Sequence, residues 1–353
     1  MKRKRKKIII SVCCVILILI FLVVPFGISM MIYQSNFGNR YETISWMARS
    51  VEEFDGLKVE QSTFESNKKQ LLAGYTYYKE EVNPKGVIII AHGLGGGGHN
   101  SYMDVADYLT TNGYLVFAYD ATGNDKSEGD CVKGIPQGVI DLDYAIRFVK
   151  GHSKFAGMPI MLFGHSWGAY SVGSVLNLHP DIKSVVMIAG FNKSMDIIEE
   201  EGKRIVGNAM SLFVPYLSTI ERIKFGAYAG YNCMDGLNNS DAGAMIIHST
   251  DDEMVSFDNQ YQRFYKEFKS NSRIKFVKYE DRGHNYVYYT NVSRQYKDML
   301  NRNFTKYVDS LDTDLTAEMK TAYMKEHLDK KQLFDLDIEL MSQIVSFYDS
   351  YAK

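Results

Sequence analysis

Beyond its first seven residues the chain has no basic block. Lys and Arg total 40 against 42 Asp and Glu in 353 residues, and six of the bases are Lys2, Arg3, Lys4, Arg5, Lys6 and Lys7. The remainder therefore carries 34 against 42, a mildly acidic body. Nucleic-acid binding needs a basic face, often interleaved with aromatics, to neutralise phosphates, so that class is excluded. Cysteine is also sparse. Of four, Cys13 and Cys14 lie in an apolar run, and whether Cys131 and Cys233 pair is not decided by their spacing. No Gly-Lys-Ser/Thr follows the glycine run at Gly95 to Gly98, which argues against a phosphate-binding loop. No cofactor or metal ion is expected, and no oligomeric state is implied. With 46% apolar and 23% charged residues, the composition is that of a folded protein with one large domain plus extras.

Charge is missing most conspicuously from Ile8 to Ile32, a run of 25 residues rich in Ile, Val, Leu, Phe and Met. A helix needs only about 20 apolar residues to cross a bilayer, so the segment reads as a transmembrane helix. A cleaved signal peptide has an apolar core of roughly 7 to 15 residues followed by small residues. This run is longer, and Phe26-Gly27-Ile28-Ser29-Met30 is a poor cleavage site. A lipoprotein signal is disfavoured too, since Val12 stands before Cys13 and the apolar run continues past Cys14. Positive flanks stay in the cytoplasm, which places residues 1–7 there and the body outside the cell membrane. The expected organisation is a basic segment (1–7), a single span (8–32), a juxtamembrane segment (33–56) and one domain (57–353).

Within the body, apolar segments alternate in type as a mostly parallel sheet flanked by helices requires. Leu57–Phe64 and Leu71–Tyr78 read as an opening strand pair. Gly86–Ala91 is a β-branched run suited to a strand covered on both faces, and should be central. Strands are further expected at Tyr114–Tyr119, Ile160–Phe163, Ser184–Ala189, Ala244–His248 and Arg273–Tyr279. Helices are expected at Ser101–Thr111, Gln137–Lys150 and Trp167–Leu178. About 54 residues separate Ala189 from Ala244, too many for a simple connection. They carry helical pattern and many aromatics, and read as a helical cap (about 191–240). A helical extension closes the chain (about 310–353), with Leu336, Leu340, Ile344 and Phe347 near one face.

Gly164-His165-Ser166-Trp167-Gly168 satisfies G-x-S-x-G between an expected strand and an expected helix. That context turns a weak five-residue match into a strong one, because the nucleophile must sit on a strained turn with glycine room on either side. A serine hydroxyl needs a base, and the base needs an acid to hold its tautomer. Downstream, in the order Ser, Asp, His, lie Ser249-Thr250-Asp251-Asp252-Glu253-Met254-Val255 and Asp281-Arg282-Gly283-His284-Asn285, both at strand C-terminal ends, where open α/β sheets bind ligands. Ser166, Asp252 and His284 are the expected catalytic set. Asp252 is preferred over Asp251 on its D-x-x-V spacing to Val255. His92 and His165 are expected to orient backbone and His248 to be structural, while His99, His152, His179 and His327 read as surface or loop residues. The oxyanion donors are expected to be the main-chain N–H groups of Leu94, in the run Ala91 to Gly98, and of Trp167.

These segments, with Tyr119-Asp120-Ala121-Thr122-Gly123-Asn124-Asp125-Lys126-Ser127-Glu128-Gly129, resemble the α/β-hydrolase superfamily, specifically its monoacylglycerol-lipase-like and serine-aminopeptidase-like members. The resemblance covers roughly residues 57–307. In the last segment Thr122 stands where the family usually has Arg and Asp125 where it has a second Gly, which bears on local loop packing. The resemblance implies an α/β-hydrolase fold and ester or amide hydrolysis, without fixing a substrate.

Three functions fit in different degrees. A serine esterase or lipase acting on acyl esters is favoured by the cap's Phe213, Tyr216, Phe225, Tyr228 and Tyr231, although packing within the cap accounts for them equally well. A serine peptidase for short peptides needs a carboxylate for the substrate amine, and Glu199, Glu200 and Glu201 are the candidates. A non-catalytic binding module is disfavoured by the complete Ser, Asp and His set. The expected partners are thus a small ester or short peptide and the membrane, with no nucleic acid.

Overall fold

The computed structural model describes residues 2–80 and 83–352. Its centre is an eight-stranded sheet: β1 (Lys58–Glu65), β2 (Leu71–Tyr78), β3 (Val87–Ala91), β4 (Leu115–Tyr119), β5 (Ile160–His165), β6 (Ser184–Ile188), β7 (Gly243–Ser249) and β8 (Ile274–Tyr279). The order across the sheet is β1-β2-β4-β3-β5-β6-β7-β8. β1, β2 and β4 pair antiparallel, and every pairing from β4 through β3 to β8 is parallel.

All five residues of β3 are buried. Val87, Ile89 and Ala91 face one hydrophobic cluster and Ile88 and Ile90 the other, which is why an unbroken apolar run rather than an alternating one occupies the centre. On one face lie α4 (Gln137–Gly151) and α5 (Trp167–Ser174). The other face is covered by α3 (Met103–Thr111) and the last helix (Ile338–Asp349), whose Leu340, Ile344 and Phe347 are fully buried. Leu336 is partly buried against the same cluster.

The insert between β6 and β7 forms α6 (Ser194–Val206), a 3₁₀ turn (Gly207–Leu212), α7 (Val214–Phe225) and α8 (Cys233–Asn238). Cys131 and Cys233 are separate buried thiols. Burial pushes the Cys233 thiol up to about 12.

The N-terminal helix runs further than the expected span at its C-terminal end. Helix α1 (Lys2–Ile18), a π turn (Leu19–Val23) and α2 (Val24–Phe37) run on past Ile32, so the first residues of the expected juxtamembrane segment are helical. Residues Arg3–Phe37 form a helix long and apolar enough to cross a membrane. The physical reason for the extension is packing. Ser29, Tyr33 and Phe37, spaced at i, i+4 and i+8 on one stripe, are buried, and α2 lies against α7 of the cap.

This contact has a buried acid at its centre. Oε1 of Glu221, in α7, accepts from Ser194 Oγ at 2.6 Å and from Tyr33 Oη at 3.3 Å. Oε2 has no partner among the described residues. Burial pushes the carboxyl from its ordinary 4.5 up to about 7. A carboxyl raised by folding contributes stability that is fully present below the unfolded value and lost as pH rises through the folded one. Stability is therefore expected to fall between about pH 4.5 and 7, by about 3 kcal/mol at 1.36 kcal/mol per pKa unit. Glu221→Gln should remove that loss, raising Tm at pH 8 and changing it little at pH 4. Thermal unfolding of both proteins across this range checks it.

Candidate active site

Ser166 caps α5 with φ 55° and ψ −115°, a conformation that L residues seldom adopt. The turn is this tight because its flanking glycines let backbone approach backbone. A Cβ on Gly168 would come within 1.9 Å of the Ala91 carbonyl oxygen, and one on Gly164 within 2.3 Å of the Gly168 carbonyl oxygen. The result holds Ser166 at the C-terminal end of β5.

His284 reaches that serine from the loop after β8. Its Nε2 is 2.9 Å from Ser166 Oγ, and its Nδ1 is 2.8 Å from Asp252 Oδ2 and 3.0 Å from Oδ1. Asp252 is itself oriented from both sides. Oδ1 accepts the main-chain N–H groups of Met254 and Val255, each at 2.8 Å, while Oδ2 lies 3.1 Å from His248 Nε2. Burial alone would raise this carboxyl. The imidazoles of His248 and His284 beside it outweigh burial and hold it well below the usual carboxylate range. His248 Nε2 donates to the Val255 carbonyl at 2.9 Å and stands beside the acid, a contact with no spacing signature in the sequence.

Asp251 points elsewhere. Its Oδ1 accepts Gly283 N–H at 2.9 Å, and its Oδ2 forms an ion pair with Arg294. Ser249 Oγ accepts Arg282 N–H at 3.0 Å and Glu253 Oε2 accepts His284 N–H at 3.2 Å. Three consecutive N–H groups of the histidine loop are therefore held by alternate side chains, at 249, 251 and 253, of the acid loop. The residue between the last two, Asp252, faces the imidazole.

A second chain links the other loops. Tyr102 Oη accepts Gly93 N–H at 2.9 Å and lies 3.1 Å from His165 Nδ1, and His165 Nε2 donates to the His284 carbonyl at 2.9 Å. Burial first, then the neighbouring His284, push His165 down to about 3, so it stays neutral and keeps one nitrogen as acceptor and one as donor. His92 takes Ala121 N–H on Nε2 at 3.0 Å and is likewise held neutral by burial. Two histidines read as surface residues are engaged instead: His99 with Asp120 at 2.7 Å and His179 with Asp143 at 2.8 Å.

Leu94 and Trp167 each lie three residues beyond a paired position, Ala91 of β3 and Gly164 of β5, so the sheet register brings their segments side by side. Trp167 opens α5, where main-chain N–H groups lack helical acceptors. Neither N–H meets an acceptor among the described residues. Asp125, at the position that departs from the family pattern, accepts from Gly98 N–H at 2.7 Å, Thr43 N–H at 2.6 Å and Thr43 Oγ1 at 2.7 Å. It ties the glycine loop to the segment after α2. Thr122 donates its N–H and hydroxyl to Asp141 at 2.8 and 3.0 Å.

The acidic run on α6 is internally neutralised. Glu199 pairs with Lys203, and Glu200 and Glu201 with Arg204. Glu200 also accepts Ser256 N–H at 2.8 Å. Among the described residues no group of His, Cys, Asp and Glu is arranged to hold a metal ion.

Residues 82–232 match the family described as serine aminopeptidase, S33. Over 94 residues the chain is 33% identical to a monoglyceride lipase homolog of Monkeypox virus, covering 26% of this chain and 33% of that protein. Over 98 residues it is 34% identical to human monoglyceride lipase, covering 26% and 30%. The matched segment spans about a third of the length of these curated relatives. Among solved structures, an esterase of Pyrococcus furiosus superposes with a TM-score of 0.58 at 15% identity, over 89% of this chain and 98% of that one. Est1E of Butyrivibrio proteoclasticus superposes at 0.50 and 19% identity, over 64% and 91%. These likenesses bear on the fold alone. The chain has the α/β-hydrolase fold, and over part of its length its sequence is similar to monoglyceride lipases and to the serine aminopeptidase family.

Proposed function

We propose that this chain is a membrane-anchored serine hydrolase that cleaves carboxylic esters, with acyl or lipid-like substrates, through an acyl-enzyme intermediate. The observation that carries this reading is the continuous hydrogen-bonded line from Ser166 Oγ through the His284 ring to Asp252, with bonds of 2.9 and 2.8 Å. His284 Nε2 takes the hydroxyl proton as Ser166 Oγ attacks the ester carbonyl, and Asp252 stabilises the imidazolium. The N–H groups of Leu94 and Trp167 receive the charge that develops on the carbonyl oxygen. Each such donor is worth about 10² to 10³ in turnover. His284 then returns the proton to the departing alcohol, and water repeats the sequence to release the acid.

The ester reading is preferred over the peptidase one because the three carboxylates available for a substrate amine are already engaged with Lys203, Arg204 and Ser256. The names of the relatives, monoglyceride lipase among them, support the acyl-ester class. A panel of nitrophenyl esters of graded chain length and aminoacyl anilides tests it. Turnover is expected on the esters, and turnover confined to the anilides would overturn it. The location rests on the apolar helix Arg3–Phe37 and its basic N-terminal flank. Protease added to intact protoplasts should digest the body, whereas full protection would reverse the orientation.

A further inference from the structure

Pro25 has no N–H to give the carbonyl of Phe21 one helical turn below it, and a π turn at Leu19–Val23 loosens the helix there. Tyr216, in the first turn of α7, supplies the missing donor through its hydroxyl. Further along the same contact, Tyr33 meets Glu221 at 3.3 Å and Lys224 stands 4.5 Å over the Tyr33 ring. The anchor and α7 therefore run in the same direction, with the N-terminal end of α7 toward the N-terminal end of the anchor.

This sets the height of the cap relative to a bilayer. A hydrocarbon layer of about 30 Å is crossed by about 20 helical residues at 1.5 Å each, so a span entering at Ile8 leaves near Gly27. Phe21 then lies about 9 Å inside that boundary and Tyr33 about 9 Å outside it, among the head groups. The part of the cap level with Phe21 is its tip. From Ile205 to Ile220 the cap has no charged residue, and Ile205, Val206 and Leu212 are 79%, 51% and 72% exposed. Apolar side chains so exposed on a charge-free tip, beside a carbonyl in hydrocarbon, match the surroundings that the anchor imposes. Level with Tyr33, a cavity of about 350 Å³ is lined by Lys68, Lys69, Lys133 and Lys224 against one carboxylate, Glu128, a net positive charge suited to phosphates at that height.

We propose that the cap is seated in the membrane leaflet on the body's side. Its tip from Ile205 to Tyr216 lies in the acyl region and the four-lysine cavity lies at the lipid phosphates. The inference rests on the anchor reading and deepens it. Arg204, the residue immediately before the tip, donates to the Glu253 carbonyl of the acid loop. The seated tip thus adjoins the site, and an acyl ester reaches Ser166 from the lipid rather than from water.

The test uses the full chain in vesicles. Leu212→Trp and Ile205→Trp are compared with Val15→Trp, in the span, over the background of Trp46 and Trp167. The expected result is that acyl-chain-brominated phosphatidylcholine quenches the added emission in all three. Quenching of Val15→Trp alone would overturn the seating while leaving the anchor intact. Quenching of none would overturn the anchor reading and the seating with it. For the phosphate contact, micelles doped with phosphatidylglycerol should raise Tm more than those doped with phosphatidylcholine, and Lys68→Ala/Lys133→Ala should abolish the difference. An equal rise with inorganic phosphate, or none with phosphatidylglycerol, would overturn the lipid contact.

Discussion

Ser166→Ala is expected to lower ester turnover by about 10⁶, the scale on which loss of the nucleophile acts in a serine protease whose remaining machinery is intact. Covalent labelling by a fluorophosphonate should disappear with it. The fold should persist, because alanine keeps the Cβ and therefore the same backbone conformation at φ 55°. That conformation costs about 1 to 3 kcal/mol in a residue other than glycine. Ser166→Gly should then be equally inactive yet at least as stable, since glycine occupies that region without strain. Labelling stoichiometry and thermal unfolding of the two variants separate chemistry from folding. Labelling that survives in Ser166→Ala would remove Ser166 from the mechanism.

Asp252→Asn is expected to reduce turnover by about 10⁴, as the equivalent change does in serine protease triads. The structure explains why the amide is the wrong group. Asp252 Oδ1 is fixed by Met254 and Val255 N–H, so the new NH₂ falls at the Oδ2 position, facing His284 Nδ1 and His248 Nε2. It donates where the carboxylate accepted, and forces His284 into the tautomer with its proton on Nε2, which cannot take a proton from Ser166. Asp251→Asn keeps an oxygen for Gly283 N–H and loses only the partly exposed Arg294 pair, so it should cost only a few-fold in turnover. Steady-state turnover of both purified variants decides between the acids. A dead Asp251 variant beside an active Asp252 one would shift the acid by one position.

Much of this arrangement is legible in local sequence because local sterics write it there. Gly164 and Gly168 are where backbone must touch backbone, and Val87 to Ala91 is apolar throughout because both of its faces are covered. The N-terminal helix is legible in the same way, as a run of 25 residues without a charge. The turn at Asp252 is legible in its spacing to Val255, since an Asx turn needs its acceptor two and three residues before the donors.

Other features depend on long-range contacts and leave no periodic trace. The grip of Ser249, Asp251 and Glu253 on the N–H groups of 282 to 284 joins residues more than 30 positions apart. His165 and Tyr102 differ from ordinary core residues only once β5, α3 and the loop after β8 converge. Likewise, nothing at Tyr33 or Glu221 alone announces that the N-terminal helix packs on the cap; a buried carboxyl group and a tyrosine 188 residues apart become partners only when their two helices are laid together. Sequence by itself determined the strand-turn-helix at Ser166, the order of the three side chains and the uncharged character of residues 8–32, all set by sterics and hydrophobicity within a few residues. Tertiary structure decided which groups hold those side chains in place and where the cap stands on the N-terminal helix, because hydrogen-bond partners and packing faces are selected by the folded geometry, not by neighbours in the chain.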